Sequence, residues 1–134
     1  MKYCRIHKGY KCFPDADLKN IVGIVFDSVR ISDNENIIFN GERVFEMFHD
    51  QDCCEGVWIE DIEGELSYLE NTPILEASVE QNFENPLQEN EESFTWTFYK
   101  FRTIKGYVTI RWYGSSNGYY SEVVDFIEHK CVKD

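Results

Sequence analysis

At 134 residues, with 43% hydrophobic and 16% aromatic content, the chain has the length of one domain and the apolar side chains for a packed core, which excludes global disorder. The formal charge of −12 is concentrated: residues 31–92 hold eighteen Asp/Glu against one Lys/Arg, whereas residues 1–30 and 93–134 each hold six Lys/Arg, against three and four acids. That balance excludes duplex DNA as the main partner and suits a basic protein, and no apolar run approaches the ~20 residues of a membrane helix.

In chain order, residues 1–18 are a basic N-terminal segment that contains Cys4 and Cys12. The Val/Ile-rich stretch 20–31 reads as a strand interrupted at Gly23. Residues 36–39 and 43–48 flank Asn40-Gly41, a pair suited to the positive φ angles of a type I′ turn, which predicts a hairpin. Between Trp58 and Leu69, Ile59, Ile62, Leu66 and Leu69 recur at three- and four-residue spacing among acids. This spacing predicts an amphipathic helix of about three turns, lying within 60–69 and ended by Asn71-Thr72-Pro73. Residues 74–79 follow as a short strand, and the polar, acidic stretch 81–92 as an exposed, mobile loop. Aromatic and β-branched segments at 93–101, 107–113 and 119–126, punctuated by Lys105-Gly106 and by 114–118, predict a three-stranded antiparallel meander. The expectation is a single α+β domain over 1–134: mainly antiparallel sheet, an N-terminal hairpin plus a C-terminal meander, with one main amphipathic helix.

Two constellations carry chemistry. His49-Asp50-Gln51-Asp52-Cys53-Cys54-Glu55 packs six potential metal ligands into seven residues, making His49, Cys53 and Cys54 candidate metal ligands and giving a thiol beside an imidazole. Zinc sites, however, draw on separated Cys/His pairs, and no second pair with that spacing follows. No metal is therefore expected. Five cysteines, an odd number with no signal-peptide pattern ahead of Cys4, predict free thiols in a cytoplasmic protein. The second constellation is the segment from Arg111 to Tyr120. Its guanidinium can bind phosphate or carboxylate, its aromatic rings can stack on bases, and Asn117 sits in a turn rich in hydrogen-bonding groups. The plainer reading makes Asn117-Gly118 a hairpin turn, the aromatics cross-strand core pairs, and Arg111 a partner of Glu122 or Asp125 on the next strand. No phosphate loop, nucleophile elbow, metalloprotease helix or dinucleotide fingerprint is present, so neither an enzyme nor a cofactor is expected.

The His49–Glu55 cluster, residues 93–101 and the long block 103–122 resemble a family of small proteins of bacteria and their phages, over roughly residues 20–126. Within that company the chain resembles the phage anti-Thoeris sponges, which sequester cyclic ADP-ribose-type or cyclic oligonucleotide signals. The resemblance implies a cytoplasmic, homo-oligomeric counter-defence protein that binds a nucleotide-derived immune signal without chemistry. Arg111 and Lys105 are the expected phosphate contacts, with Trp96, Trp112, Tyr113, Asn117 and Tyr119 completing the site. The rival expectation is an acidic inhibitor that uses residues 31–92 to block a basic host protein such as a nuclease. A third is a metal-dependent or thiol enzyme at His49–Glu55.

Overall fold

The computed structural model describes residues 10–13, 17–33 and 35–131. In chain order these form β1 (Tyr10–Phe13), a 3-10 turn η1 (Leu18–Ile21), β2 (Ser28–Ser32), β3 (Asn36–Asn40), β4 (Val44–Phe48) and β5 (Gly56–Glu63). A second 3-10 turn, η2 (Leu66–Leu69), is followed by β6 (Glu76–Asn82), β7 (Ser93–Thr103), β8 (Gly106–Ser116) and β9 (Asp125–Cys131). All named strand pairs are antiparallel. The strands make a five-stranded sheet in the order β1-β9-β4-β3-β2 and a four-stranded sheet in the order β5-β8-β7-β6.

Period-2 patterning makes each sheet apolar on one face, and the two apolar faces meet. Val29, Ile37, Phe39, Phe45, Met47 and Phe126 from the first sheet share one buried cluster with Ile59, Tyr99, Phe101, Val108, Ile110 and Trp112 from the second. Contacts cross the seam directly: the Phe39 and Phe101 ring centroids lie 5.7 Å apart, and Trp112 Nε1–H points at Met47 Sδ, 3.1 Å away. Each fully buried large apolar side chain contributes roughly 1.5–3 kcal/mol against exposure, so this seam is the main source of stability. Among the described residues no helix is long and apolar enough to cross a membrane.

The expected α+β architecture is overturned, because the helix predicted between Glu60 and Leu69 is absent. That segment is the second half of β5 followed by η2, and the described residues contain no helix longer than these four-residue turns. A β-bulge explains the misleading pattern. Ile59 pairs with Trp112 but Asp61 already pairs with Arg111, so Glu60 is an extra residue that flips the strand's facing. Ile59 and Ile62 therefore both point into the core at a spacing of three. Leu66 and Leu69 repeat that spacing because a 3-10 turn has three residues per turn. Bulge and turn together imitate one face of an α-helix.

Three smaller expectations change as well. The 36–48 hairpin is present as β3 and β4, but Phe39 pairs with Phe45 and Gly41 lacks a positive φ, so Asn40-Gly41 is not a type I′ turn. Gly41 instead allows a close approach, since a Cβ there would lie 3.3 Å from the Val25 carbonyl oxygen. The interrupted strand at 20–31 resolves into η1, isolated bridges at Val25 and Phe26, and β2. In the C-terminal block β7 and β8 pair as expected, but the third arm at 119–126 does not form. Residues 119–124 are irregular and only Asp125 and Phe126 enter a strand, β9, which pairs with β4 and β1 in the other sheet, while β5 occupies the place beside β8. The crossing segment is pinned on the way. The Glu122 carboxylate accepts from the Thr95 hydroxyl at 2.7 Å and the Ser116 hydroxyl at 2.5 Å, and the Tyr99 hydroxyl donates to the Val124 carbonyl at 3.2 Å. Most of the N-terminal segment 1–18, Cys4 included, lies outside the described residues.

Candidate functional site

Side chains that alternate with the core row of the four-stranded sheet point to its outer face. Register brings Trp96 opposite Tyr113 and Phe98 opposite Arg111, and Arg111 opposite Asp61. The rings associate, with Trp96 and Tyr113 centroids 4.6 Å apart and Trp58 5.4 Å from Tyr113. Such an apolar patch on an outer face needs cover, and residues 83–92 supply part of it. Trp96 Nε1–H donates to the Asn85 carbonyl at 3.0 Å, and the Leu87 N–H donates to the Tyr113 hydroxyl at 3.1 Å. That hydroxyl in turn donates to the Glu91 carboxylate. Burial first, then the charge of Glu122, raises the Glu91 carboxyl above its ordinary range.

Beside this cover lies a cleft of about 270 Å³ lined by Asn82, Glu84, Asn85, Trp96, Phe98 and Arg111. The Arg111 guanidinium carbon lies 5.5 Å from the Trp96 ring centroid, a cation–π distance. Nη1 is 3.7 Å from Glu63 Oε1 and 3.8 Å from Asp61 Oδ2. Those separations balance charge but exceed hydrogen-bond length. Nε is buried and has no hydrogen-bond partner. Arg111 is thus held in place by stacking and by charge, one-third exposed, while its buried Nε turns away from solvent.

The His49–Glu55 cluster is a closed structural frame. His49 Nε2 is 2.7 Å from Glu55 Oε2 and Nδ1 is 2.7 Å from the Val123 carbonyl, with the His49 and Glu55 side chains both buried. Glu55 also accepts the Asp52 and Cys53 N–H groups, each at 2.9 Å. The Asp52 N–H first, then that of Cys53, outweigh burial and together with His49 hold the Glu55 carboxyl down at about 2. Both ring nitrogens of His49 thus lie within hydrogen-bond distance of an oxygen, the Val123 carbonyl on one side and the Glu55 carboxylate on the other. Both nitrogens are therefore engaged inside the frame rather than presented to a metal. Cys53 and Cys54 are bonded to each other, which corrects the expectation of free thiols for this adjacent pair. Among the described residues no three His, Cys, Asp or Glu side chains converge as a metal site.

The sequence pattern of DUF7448, a domain of unknown function, matches residues 18–126. The chain belongs to the DUF7448 family. No curated protein and no solved structure matches it. The span matched to DUF7448 contains every residue of the cleft and of the His49–Glu55 frame.

Of the seven expected ligand residues, Arg111, Trp96 and Tyr113 come together on this face of the DUF7448 domain. The other four do not. Trp112 neighbours Arg111 along β8 and so points the opposite way, into the core, fully buried. Lys105 sits at the β7–β8 turn, where its Nζ donates to the Glu70 carbonyl at 2.6 Å. Asn117 and Tyr119 lie past the far end of β8. There Asn117 Oδ1 accepts the Tyr119 N–H at 2.9 Å and Tyr119 is 83% exposed. Nor does Arg111 pair with Glu122 or Asp125, since its carboxylates come from β5. Phe98 was legible in the sequence, two residues beyond Trp96 on the same strand face. Asn82, Glu84 and Asn85 were not, because Asn82 is placed by the register of β6 opposite Trp96 and only the folded course of 83–92 brings Glu84 and Asn85 to Arg111.

Proposed function

We propose that this DUF7448 chain is a non-catalytic binding protein that takes a nucleotide-derived ligand in the Arg111 cleft and sequesters it, in the phage counter-defence role that its resemblance implies. The observation that carries the reading is Arg111 itself, a stacked guanidinium without a hydrogen bond among the described residues, facing a cleft walled by Trp96 and Phe98. Asp61, Glu63 and Glu84 nearby make the cleft a poor host for bare phosphate. A nucleobase edge suits it better, offering acceptors to Arg111 and donors to the carboxylates. At about 270 Å³ the cleft is smaller than the ~300–1,000 Å³ of most ligand pockets, so one chain holds one base and a cyclic dinucleotide is shared between two copies. The test is calorimetric titration with cyclic ADP-ribose isomers and cyclic dinucleotides. Arg111→Ala should weaken binding by roughly tenfold or more, the loss of one charge-assisted contact, with little change in melting. Trp96→Ala should weaken it as well, through the lost stacking contact, but should also lower Tm because Trp96 is buried. Absence of binding by every such compound refutes the proposal.

A second reading, an acidic inhibitor of a basic host protein, is favoured by a separate observation. Arg43 forms a two-pronged pair with Glu128 at 2.8 Å, Lys100 pairs with Glu80 and Arg102 with Glu76. With these bases occupied, the acid surplus of residues 31–92 remains to meet cations from outside.

A further inference from the structure

We infer that the free edge of β6 is a docking site for an extended, basic segment of a partner protein, which would add to the four-stranded sheet as a further strand. The inference rests on the second reading above and is independent of the Arg111 cleft. β6 is the end strand of its sheet, and it pairs with β7 without a break from Glu76 to Asn82. No backbone hydrogen bond among the described residues reaches its other edge. The turn η1 packs against β6, but among the described residues no backbone hydrogen bond joins the two.

Edge strands are ordinarily blunted by a lysine, a proline or a bulge. β5, at the opposite edge, has its bulge at Glu60. β6, with the sequence Glu-Ala-Ser-Val-Glu-Gln-Asn, has no lysine, proline, bulge or positive φ. Its only charges are Glu76 and Glu80, which guard against an acidic or neutral strand but not a basic one. Its core-facing row also overhangs the core, because Val79, on the face that packs inward elsewhere, is 48% exposed and Leu75 just before the strand is 37% exposed. An added strand would cover both.

Charge selects the occupant. Glu76 and Glu80 point to the outer face, with Arg102 and Lys100 on their β7 side. Their side chains are still 63% and 62% exposed, which leaves the edge side open to a second cation each. A second copy of the chain is disfavoured. Antiparallel self-pairing centred on Val79 would set Glu80 diagonally across from its own counterpart, between molecules that each carry −12. A segment alternating Lys or Arg with apolar residues satisfies both faces: cations opposite Glu76 and Glu80, and apolar side chains over Val79.

The test uses the whole protein and three labelled heptapeptides, followed by fluorescence anisotropy. One alternates Lys and Val, one holds the same residues in two blocks, and one is the alternating peptide N-methylated at every second residue. The alternating peptide should bind saturably and slow amide exchange across β6. Blocking, N-methylation, or the double variant Glu76→Lys/Glu80→Lys, checked for folding by circular dichroism, should each weaken binding by about tenfold or more. Equal binding of all three peptides, lost together as salt is raised, would overturn the edge site and leave the acidic-surface reading standing. Failure of any basic peptide to bind, with β6 exchange unchanged, would overturn both.

Discussion

Gly64 closes the bulged strand β5 and starts the chain toward η2, so replacing it tests the architecture that displaced the expected helix. Its φ is +84°, and a Cβ built there would lie 2.3 Å from the Tyr107 carbonyl oxygen, a backbone atom of the neighbouring β8. Gly64→Ala thus carries two costs. The left-handed backbone costs an L residue ~1–2 kcal/mol, and forcing a packed strand to move costs ~1–3 kcal/mol more. Reduced freedom of the unfolded chain returns ~0.4–1 kcal/mol. The net is about 3 kcal/mol, or a fall in Tm of about 10 °C for a domain of this size. Gly118 supplies the control, with φ +90° and nothing within 4 Å of its virtual Cβ. Gly118→Ala bears the backbone cost alone and should lose about 1 kcal/mol or less. Urea unfolding of both variants beside wild type, monitored by tryptophan fluorescence and circular dichroism to check for one transition, separates the terms. If the two variants agree within about 0.5 kcal/mol, the approach of β5 to β8 at Tyr107 is wrong and so is the bulged-strand account.

Tyr113→Phe removes both the acceptor of the Leu87 N–H and the donor to Glu91, so amide exchange across 83–92 should quicken while global stability falls only about 0.5–1.5 kcal/mol; unchanged exchange would show that the cover does not depend on this hydroxyl. Thr97 Oγ1 is buried without a hydrogen-bond partner, and Thr97→Val should be neutral or stabilising by up to about 1 kcal/mol in urea, whereas a clear loss would reveal a partner. The Glu55 carboxyl, held at about 2 against ~4.3 for a free one, contributes stability that is complete above the ordinary value and disappears as pH falls toward the folded one. Melts of wild type and Glu55→Gln between pH 7 and 2 should therefore converge only at the acid end, and a gap independent of pH would contradict the His49–Glu55 frame.

The sequence by itself determined the single aromatic-rich core, the β3–β4 and β7–β8 pairings, the concentration of acid in 31–92 and the opposite facing of Arg111 and Trp112, because each follows from alternation or composition within a short window. It also held a false signal. Ile59, Ile62, Leu66 and Leu69 have helical spacing, and nothing local distinguishes that from a bulged strand running into a 3-10 turn. The difference lies in the partner strand: with β8 alongside, β5 buries Ile59 and Ile62 and satisfies its backbone in the ladder, gains that no isolated segment can register. The third arm of the expected meander failed for the same kind of reason. Residues 125–131 suit a strand wherever they are placed, and only competition with β5 for the side of β8, together with the open side of β4, sends β9 to the other sheet. The candidate site follows suit: alternation along β7 and β8 put Trp96, Phe98, Arg111 and Tyr113 on one face. Only the tertiary course of 83–92 brought Asn85 and Glu84 to them, and only the β5 register set Asp61 and Glu63 beside Arg111, because contacts between residues distant in sequence are decided by which surfaces remain to be buried.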